Sequence, residues 1–374
     1  MKENPFECLK QLEYFKHSSD TIVKNWYQAR KYVLDLLINR LHSCKDSDSF
    51  PECWHFIVYG DSELMLSVVR HLALYAHFIS YEEYDRYGNL SCKNRTVITV
   101  VSKKSAEEIK VELQKPEFLG NLPKYCPVTV FGEVMNKDSY IDIAIEVVKD
   151  PHSSCTTSDC EPIDIKEDEV LQTEFTQDID TYKAVCAGKA YGLGKVINNL
   201  PYEDINSVSR YSNALSTFKE KILSAESENL INEKWGHNSN EVRCGISNVF
   251  CADCFEIREK EILNKAKTEK MSEMETWQKY FEELSHCEHN RWVVEKLILG
   301  YEPLGREERF KYEQFFGDER TAYWKSLKKK EVSPQHIDIC SNRDLRRIDP
   351  DNMKYDSFLM LAIQFILLDV KTKS

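Results

Sequence analysis

Short β-branched, apolar runs alternate with stretches of helical periodicity through residues 51–150, and this alternation constrains the fold more than any other feature. The runs that predict strands are His55 to Gly60, Phe78 to Tyr81, Thr96 to Val101 and Val128 to Phe131. The stretches that predict helices are Leu64 to Phe78, Ala106 to Leu113 and Tyr140 to Val148. Strands that alternate with helices are typical of a parallel sheet, because each parallel connection needs a crossover. We therefore expect residues 51–150 to form a doubly wound, Rossmann-like domain.

The turn after the first predicted strand is the position where such a sheet holds a nucleotide. Gly60, Asp61 and Ser62 precede the next helix, so they are the expected cofactor-binding residues, for NAD or another adenine nucleotide. The G-x-G-x-x-G fingerprint is absent, however, and the acids Asp61 and Glu63 would repel phosphate. The alternative is a degenerate sheet domain that is kept for structure or oligomerisation.

The regions on either side of the sheet differ in pattern. Apolar residues from Thr21 to Leu41 recur at helical spacing, which predicts a helical segment within residues 1–50. Residues 151–170 are rich in Pro, Ser, Thr and acids and lack apolar periodicity, so we interpret them as a linker. Residues 171–374 are mainly helical in pattern, with polar interruptions at Asn198 to Ser209, Ser227 to Ser247 and Gly300 to Asp318.

Charge and hydropathy argue against two classes of partner. The formal net charge of −12 argues against nucleic acid, because recognition of a phosphate backbone needs a basic surface. The most apolar run, Phe358 to Val370, is interrupted by Gln364 and Asp369, so we expect no membrane span. Since the N-terminal residues lack an apolar signal sequence, we expect a cytoplasmic protein.

Thirteen cysteines are scattered along the chain, and we expect them to be free thiols in a reducing compartment. Cys244, Cys251 and Cys254, with His237 upstream, offer four potential metal ligands that include one C-x-x-C pair. A structural zinc site usually pairs two such motifs at tighter spacing. We therefore favour ordinary reduced cysteines over a zinc site.

The most distinctive segment runs from Leu284 to Tyr301. On a helix, His289, Trp292 and Lys296 fall on one face, which offers an imidazole, an indole ring and a cation together. The alternative is structural, with Trp292 in the core, His289 a buried hydrogen-bonded histidine, and the other charged residues in helix salt bridges. Those charged residues are Glu288, Arg291 and Glu295.

Several motifs in this region resemble the repeat domain found in ryanodine receptors and in many bacterial proteins. They are Glu288-His-Asn-Arg-Trp292 with Glu295-Lys296, then Gly300-Tyr301, His336-Ile-Asp-Ile-Cys340 and Tyr355-Asp356. The sequence departs from the usual pattern at Tyr301, where the family has tryptophan, and at Ile337, where it has proline. A weaker echo, Tyr191 to Ala214, is similar to the degenerate first copy in bacterial proteins that carry two repeats behind a potassium-uptake-regulator type of NAD-binding domain.

The resemblance implies an α/β plus α protein, in which a Rossmann-like parallel sheet is followed by mainly helical repeats. The degenerate first repeat would cover residues 171–270 and the second residues 271–374. In the receptors these repeats catalyse nothing. The resemblance therefore implies a cytosolic ligand sensor or regulatory protein, in a bacterial stress or phage-defence pathway.

The expected ligand is a small nucleotide-like or other anionic molecule, on which Trp292 or Tyr301 would stack. The residues expected to bind it are His289, Arg291, Trp292, Lys296, Tyr301, His336, Arg343, Arg346 and Arg347. One alternative is a protein interaction module with vestigial nucleotide sites, which would form a homo-oligomer or bind a protein partner. Another is an NAD-linked or hydrolytic enzyme that uses His289 with Glu288 or Glu295. A nucleophile with its base is not recognisable, so we expect no catalytic residues.

Overall fold

The computed structural model describes residues 20–43, 53–84, 90–136, 139–153, 161–173, 183–184, 187, 239–328 and 335–348. Within these ranges the strands are β1 His55–Tyr59, β2 Glu82–Tyr84, β3 Leu90–Lys93, β4 Thr96–Val101, β5 Val128–Val130, β6 Glu133–Asn136, β7 Ile143–Val148, β8 Ile163–Lys166, β9 Glu302–Pro303 and β10 Gln335–His336. The α-helices are α1 Asp20–Ser43, α2 Glu63–Tyr75, α3 Ala106–Leu113, α4 Glu167–Gln172, α5 Ser239–Glu269, α6 Glu273–Lys279, α7 Phe281–Ile298, α8 Arg306–Gln314, α9 Gly317–Lys328 and α10 Asn342–Ile348.

A six-stranded mixed sheet has the strand order β6-β5-β7-β4-β1-β8. Its neighbouring strands pair in parallel, except that β6 pairs antiparallel with β5. β4 is buried along almost its whole length and consists of valine, isoleucine and threonine, which is typical of a central parallel strand. The expected mixture of helices with a largely parallel sheet is therefore present in the described residues.

β7 overturns one prediction. The sequence predicts a helix from Tyr140 to Val148, but Ile143–Val148 form a strand between β5 and β4. Ile143, Ile145 and Val147 are buried β-branched residues, and a run this short fits either kind of element by spacing. The helix prediction is wrong because pairing with two neighbouring strands decides the conformation.

The predicted strand at Phe78 to Tyr81 is also wrong. These residues contain a turn, and the nearby strand β2 begins one residue later. β2 pairs antiparallel with β3 in a hairpin outside the main sheet. The apolar side chains of Phe78 and Ile79 are buried, so their hydrophobicity reflects packing of a turn and not of a strand.

The second half of the predicted linker belongs to the sheet. Ile163–Lys166 form β8, which pairs in parallel with β1, and α4 follows directly. Gln28 of α1 donates hydrogen bonds from Nε2 to the carbonyl oxygens of Val170 and Leu171, at 3.1 and 3.2 Å. The linker prediction is wrong here because this short edge strand alternates buried and exposed residues. It therefore has too few apolar residues to be recognised as a strand from the sequence.

α1 packs on α2 through the predicted apolar stripe. Trp26, Val33 and Leu37 of this stripe are buried, as is Val23 beside it, and the Trp26 ring lies 4.9 Å from the ring of His71. α1 and α5 are the longest of the described helices, at 24 and 31 residues. In the part of the chain that the structure describes, no helix is long and apolar enough to cross a membrane.

A shared carboxylate joins α1, α2 and α5. Arg30 of α1 donates from Nε to Asp253 of α5 at 2.8 Å, and the Tyr75 hydroxyl of α2 donates to the same carboxylate at 2.8 Å. Arg30 and Tyr75 are both buried. Because buried polar groups cost free energy unless they are paired, this contact helps to fix the three helices relative to one another.

One cysteine departs from the expected state. Cys53 is disulfide-bonded, so the expectation of free thiols throughout is wrong at this residue. Disulfide pairing requires two Cα atoms within about 7 Å, which cysteine count and spacing do not reveal. The described free cysteines are Cys92, Cys126, Cys251, Cys254, Cys287 and Cys340.

The loop between α3 and β5 caps the C-terminus of α7. This loop belongs to the residues before α5 that contain the six-stranded sheet, which we call the sheet half. The Asn121 backbone N–H donates to the Leu297 carbonyl oxygen at 3.0 Å, and Asn121 Nδ2 donates to the Gly300 carbonyl oxygen at 2.9 Å. Gly120, with φ +53°, lies so close that an added Cβ would overlap the Ile298 carbonyl oxygen. The last carbonyls of a helix lack partners within it, so this loop satisfies groups that would otherwise need water.

We predict that Gly120→Ala lowers the free energy of unfolding by about 3 kcal/mol, since it adds a backbone clash to the cost of a positive φ. Gly132→Ala is the matched control, because Gly132 also has a positive φ of +85° but nothing lies within 4 Å of an added Cβ. We expect Gly132→Ala to cost about 1 kcal/mol. Urea denaturation of both variants measures the difference, and equal losses would contradict the close contact with α7.

Candidate functional site

α7 carries the most distinctive sequence motif and is buried on nearly all sides. Glu288, His289, Asn290, Arg291 and Glu295 are each at most 3% exposed, although all are polar. Gly300, with φ +84°, follows the end of the helix, as expected for a glycine beyond a helix C-terminus. A helix with so many buried polar side chains is stable only if these side chains find partners inside the protein.

Arg291 lies between two carboxylates of its own helix. Its Nη2 is 2.7 Å from Glu288 Oε1, and its Nη1 is 2.7 Å from Glu295 Oε2. Burial works to lower the pKa of Arg291, but the two glutamates raise it well above its usual value. Arg291 therefore forms the ion pairs of the structural interpretation, and its expected role in phosphate binding stays a prediction.

Glu295 is the centre of a wider network. Besides Arg291, it accepts from Lys296 Nζ and from the Ser247 hydroxyl of α5, at 2.7 and 2.9 Å. Burial works to raise the pKa of Glu295, yet Lys296 and Arg291 hold it below its usual range. The network thus keeps Glu295 charged and links α7 to α5.

His289 fixes the segment after β10. Its Nε2 lies 2.9 Å from the Cys340 carbonyl oxygen, and the residue is 2% exposed. Its ring also stacks on Trp292, with centroids 6.3 Å apart. His289 is therefore a buried hydrogen-bonded histidine, in agreement with the structural interpretation, and its ring packs against that of Trp292.

Rings from three parts of the second half meet next to Trp292. His336 of β10 lies edge-on to Trp292 at 5.0 Å and edge-on to Trp324 of α9 at 5.1 Å. Lys296 Nζ lies 5.4 Å from the Trp292 ring centroid and 5.9 Å from that of Tyr301. We call Trp292, Lys296, Tyr301, Trp324 and His336 the aromatic cluster.

The members of the aromatic cluster remain partly accessible. Trp292, Tyr301, Trp324 and His336 are all half-buried, and the Lys296 side chain is 12% exposed. Four of the five members are predicted from the sequence. Trp324 is missed because it lies in a polar segment that matches no motif. The adjacent aromatic residues Tyr323 and Trp324 are the feature of the sequence that could have indicated it.

The three arginines of α10 make contacts with residues outside the aromatic cluster. Arg343 lies over the ring of Tyr84 at 5.2 Å. Arg346 pairs with Glu282, and Arg347 Nη1 lies 2.9 Å from Glu313 Oε2. Surface ion pairs of this kind leave an arginine able to exchange partners at little cost. Their expected role in phosphate binding stays a prediction.

The turn after β1 satisfies its polar groups internally. Asp61 accepts from the Ser102 hydroxyl and from the Lys103 backbone N–H, the latter at 3.1 Å. Ser62 donates to Glu167 Oε1 at 2.6 Å and caps α2 by accepting from a backbone N–H. The carboxylate of Asp61 thus takes the donors that a phosphate would use, which favours the degenerate interpretation of this turn.

The cysteines of α5 pack as core residues. Cys251 and Cys254 are 2% and 1% exposed, and burial raises the pKa of the Cys254 thiol to about 12. A thiol binds metal as the thiolate, so this environment opposes a metal site. Among the described residues, no group of three or more His, Cys, Asp or Glu is placed to hold a metal ion.

Some predicted motifs lie outside the described residues. These are His237, the echo at Tyr191 to Ala214, and Tyr355-Asp356. The polar interruption predicted at Gly300 to Asp318 contains α8, and the one predicted at Ser227 to Ser247 overlaps the start of α5, so these predictions are wrong for residues 306–314 and 239–247. α8 consists mostly of polar residues, and Tyr312 is its one buried residue. Its sequence therefore shows little of the apolar periodicity from which a helix can be predicted.

Comparisons with models of protein families, with curated proteins and with solved structures found no match to this chain. The resemblance to ryanodine-receptor repeats rests on the sequence motifs alone and stays a prediction.

We predict that Arg291→Met lowers the free energy of unfolding by about 3–5 kcal/mol, because it leaves Glu288 and Glu295 buried without their shared partner. Arg347→Met is the matched control, since this arginine also pairs with a glutamate but its side chain is 57% exposed. We expect the control to cost about 1 kcal/mol or less. Chemical denaturation tests the pair of variants, and similar losses would show that the buried network contributes little.

Proposed function

We propose that this chain is a ligand-sensing or regulatory protein, and that the aromatic cluster binds a nucleotide-like small molecule. We propose further that residues 271–374 are a ryanodine-receptor-type repeat and that the sheet is of the doubly wound Rossmann-like type. The observation that carries the proposal is the meeting of Trp292, Trp324 and His336 beside the ammonium group of Lys296.

The chemistry of the aromatic cluster suits a planar ligand with a negative charge. Half-buried indole and phenol rings offer faces and edges for a base. Lys296 supplies a cation at the rim, and its partner Glu295 is already compensated by Arg291. A phosphate that approached Lys296 would therefore not leave Glu295 without a partner.

The surroundings of the aromatic cluster support binding more than catalysis. His289 is occupied by the Cys340 carbonyl, while Glu288 and Glu295 are occupied by Arg291. The acid–base residues that an enzyme would need are thus held in structural contacts. A helix fixed in this way instead preorganises Trp292 and Lys296, which lowers the entropic cost of binding.

The contact between α7 and the sheet half offers a route for a signal. The C-terminus of α7 follows Lys296 by two residues and is capped by Asn121 of the sheet half. A ligand that shifts α7 would change this contact, so the sheet could respond to occupancy. We propose that ligand binding regulates the protein through this contact.

A second candidate function, a protein interaction module, is favoured by two exposed rings. Phe310 of α8 and Phe316, just before α9, are 62% and 72% exposed. Aromatic side chains are enriched at protein interfaces. In this case no small molecule would stabilise the protein, and a protein partner would be lost in the variant Phe316→Ser.

We predict that at least one of NAD, ADP-ribose, ATP and cyclic AMP raises the thermal unfolding midpoint of the full chain. At about one hundred times its dissociation constant, a ligand stabilises the native state by about 2.7 kcal/mol. Lys296→Gln should weaken this ligand at least about tenfold, because it removes the cation of the aromatic cluster.

Lys279→Gln is the matched control. Lys279 also pairs with a glutamate, Glu269, and also lies over an aromatic ring, that of Tyr280 at 5.0 Å, but it lies outside the aromatic cluster. It should leave the affinity unchanged. The absence of any shift with all four nucleotides, or equal effects of both substitutions, would count against the proposed site.

A further inference from the structure

Trp324 belongs to a continuous series of ring contacts that runs from α8 to α7. Its ring lies edge-on to that of Tyr312 of α8, with centroids 6.2 Å apart, and edge-on to that of His336 at 5.1 Å. His336 in turn lies edge-on to Trp292 of α7 at 5.0 Å. The position of Trp324 in the aromatic cluster is therefore tied to Tyr312 on one side and to His336 on the other.

The two indole rings of the aromatic cluster pack against different apolar cores. Trp292 packs against the main core that the sheet shares with α1, α2, α5 and α7. Trp324 packs against a separate, small apolar cluster whose buried members are Leu304, Tyr312, Leu327, Ile337 and Ile348. The main core therefore does not fix Trp324 relative to Trp292, so this geometry depends on contacts around the small cluster.

Arg320 of α9 extends the series of ring contacts beyond Tyr312. Its guanidinium carbon lies 5.0 Å from the ring centroid of Tyr312 and 5.4 Å from that of Phe316. Residues four apart lie on the same face of a helix, so Arg320 and Trp324 both approach Tyr312 from α9, one turn apart. Arg320 thus fixes the orientation of the helix face that carries Trp324.

The guanidinium group of Arg320 also joins α9 to the ends of two other helices. Its Nε donates to the carbonyl oxygen of Phe315, the residue after α8, at 2.8 Å. Its Nη1 lies 3.5 Å from the carbonyl oxygen of Ile348, the last residue of α10. A planar guanidinium donates in several fixed directions and stacks on rings at the same time, which the compact ammonium group of lysine does not reproduce.

We propose that Arg320 is a positioning residue for the ligand of the aromatic cluster. It acts through Tyr312 and holds α9 so that Trp324 meets His336, without contacting the ligand itself. The inference rests on the proposed function, to which it adds a residue that determines affinity from outside the aromatic cluster. A ring that is already in place lowers the entropic cost of binding, so a loosened Trp324 would bind the ligand more weakly.

Arg320→Lys is the decisive variant, because it keeps the positive charge and changes only the geometry of the contacts. Isothermal titration calorimetry of the full chain with NAD, ADP-ribose, ATP and cyclic AMP compares it with the wild type. We expect Arg320→Lys to bind the nucleotide that the wild type binds at least about fivefold more weakly. Lys311→Gln is the control and should bind as the wild type does, because Lys311 of α8 pairs on the surface with Glu307 at 2.7 Å.

Fluorine NMR of the chain labelled with 5-fluorotryptophan reports the position of Trp324 without any ligand. The Trp324 signal is the one that Trp324→Phe removes. Arg320→Lys should shift or broaden this signal and leave unchanged those of Trp26 and Trp277, which are 3% and 1% exposed. Tyr312→Leu should act in the same way, and the double variant should bind no more weakly than the weaker single variant, because both changes break one series of contacts.

The outcomes separate this inference from the proposed function. If the wild type binds a nucleotide and Arg320→Lys binds it equally well, or if the Trp324 signal does not change, Arg320 does not position the site and the inference is overturned. It is also overturned if the signals of Trp26 and Trp277 move together with that of Trp324, which would mean a general structural role. If the wild type binds none of the four nucleotides, the proposed function itself is contradicted.

Discussion

The packing of α7 depends on the fully buried ion pairs that Arg291 forms with Glu288 and Glu295. A guanidinium and two carboxylates within one helix are costly to remove from water, so the surrounding packing must keep all three together. Ser247 and Lys296 complete the hydrogen bonding of Glu295 and thereby connect α7 with α5. The polar face that makes the sequence motif distinctive is therefore mainly a structural device. It holds Trp292 and Lys296 in place within the aromatic cluster.

The second constraint is the attachment of α7 to the sheet half. The loop at Gly120 and Asn121 meets the last turn of the helix so closely that a methyl group does not fit. A second contact comes from the β2–β3 hairpin, where Glu83 accepts a hydrogen bond from Asn342 of α10. The helical residues after α5 thus contact the sheet half through at least two polar junctions. α7 contacts both junctions, since Asn121 bonds its last turn and Asn290 accepts a hydrogen bond from Asn342.

The sequence predicts the elements whose pattern is local. β1 and β4 stand out because several β-branched residues follow one another, and α1 stands out because its apolar stripe spans several turns. β7 and β8 are missed because their conformation depends on neighbouring strands, which a local window does not contain. The same limit applies to the site. Trp292 and Lys296 follow from helical spacing, whereas the place of Trp324 depends on contacts between residues far apart in the chain.

We expect α7 and the sheet to form one cooperative unit. Native-state hydrogen exchange in increasing urea measures this directly, amide by amide. The amides of α7 and of β4 should exchange through the same global opening, with the same free energy and the same dependence on urea. If the α7 amides exchange through an opening of lower free energy and weaker urea dependence while β4 stays protected, then the buried network and the Asn121 cap do not join the two halves, and the account is contradicted.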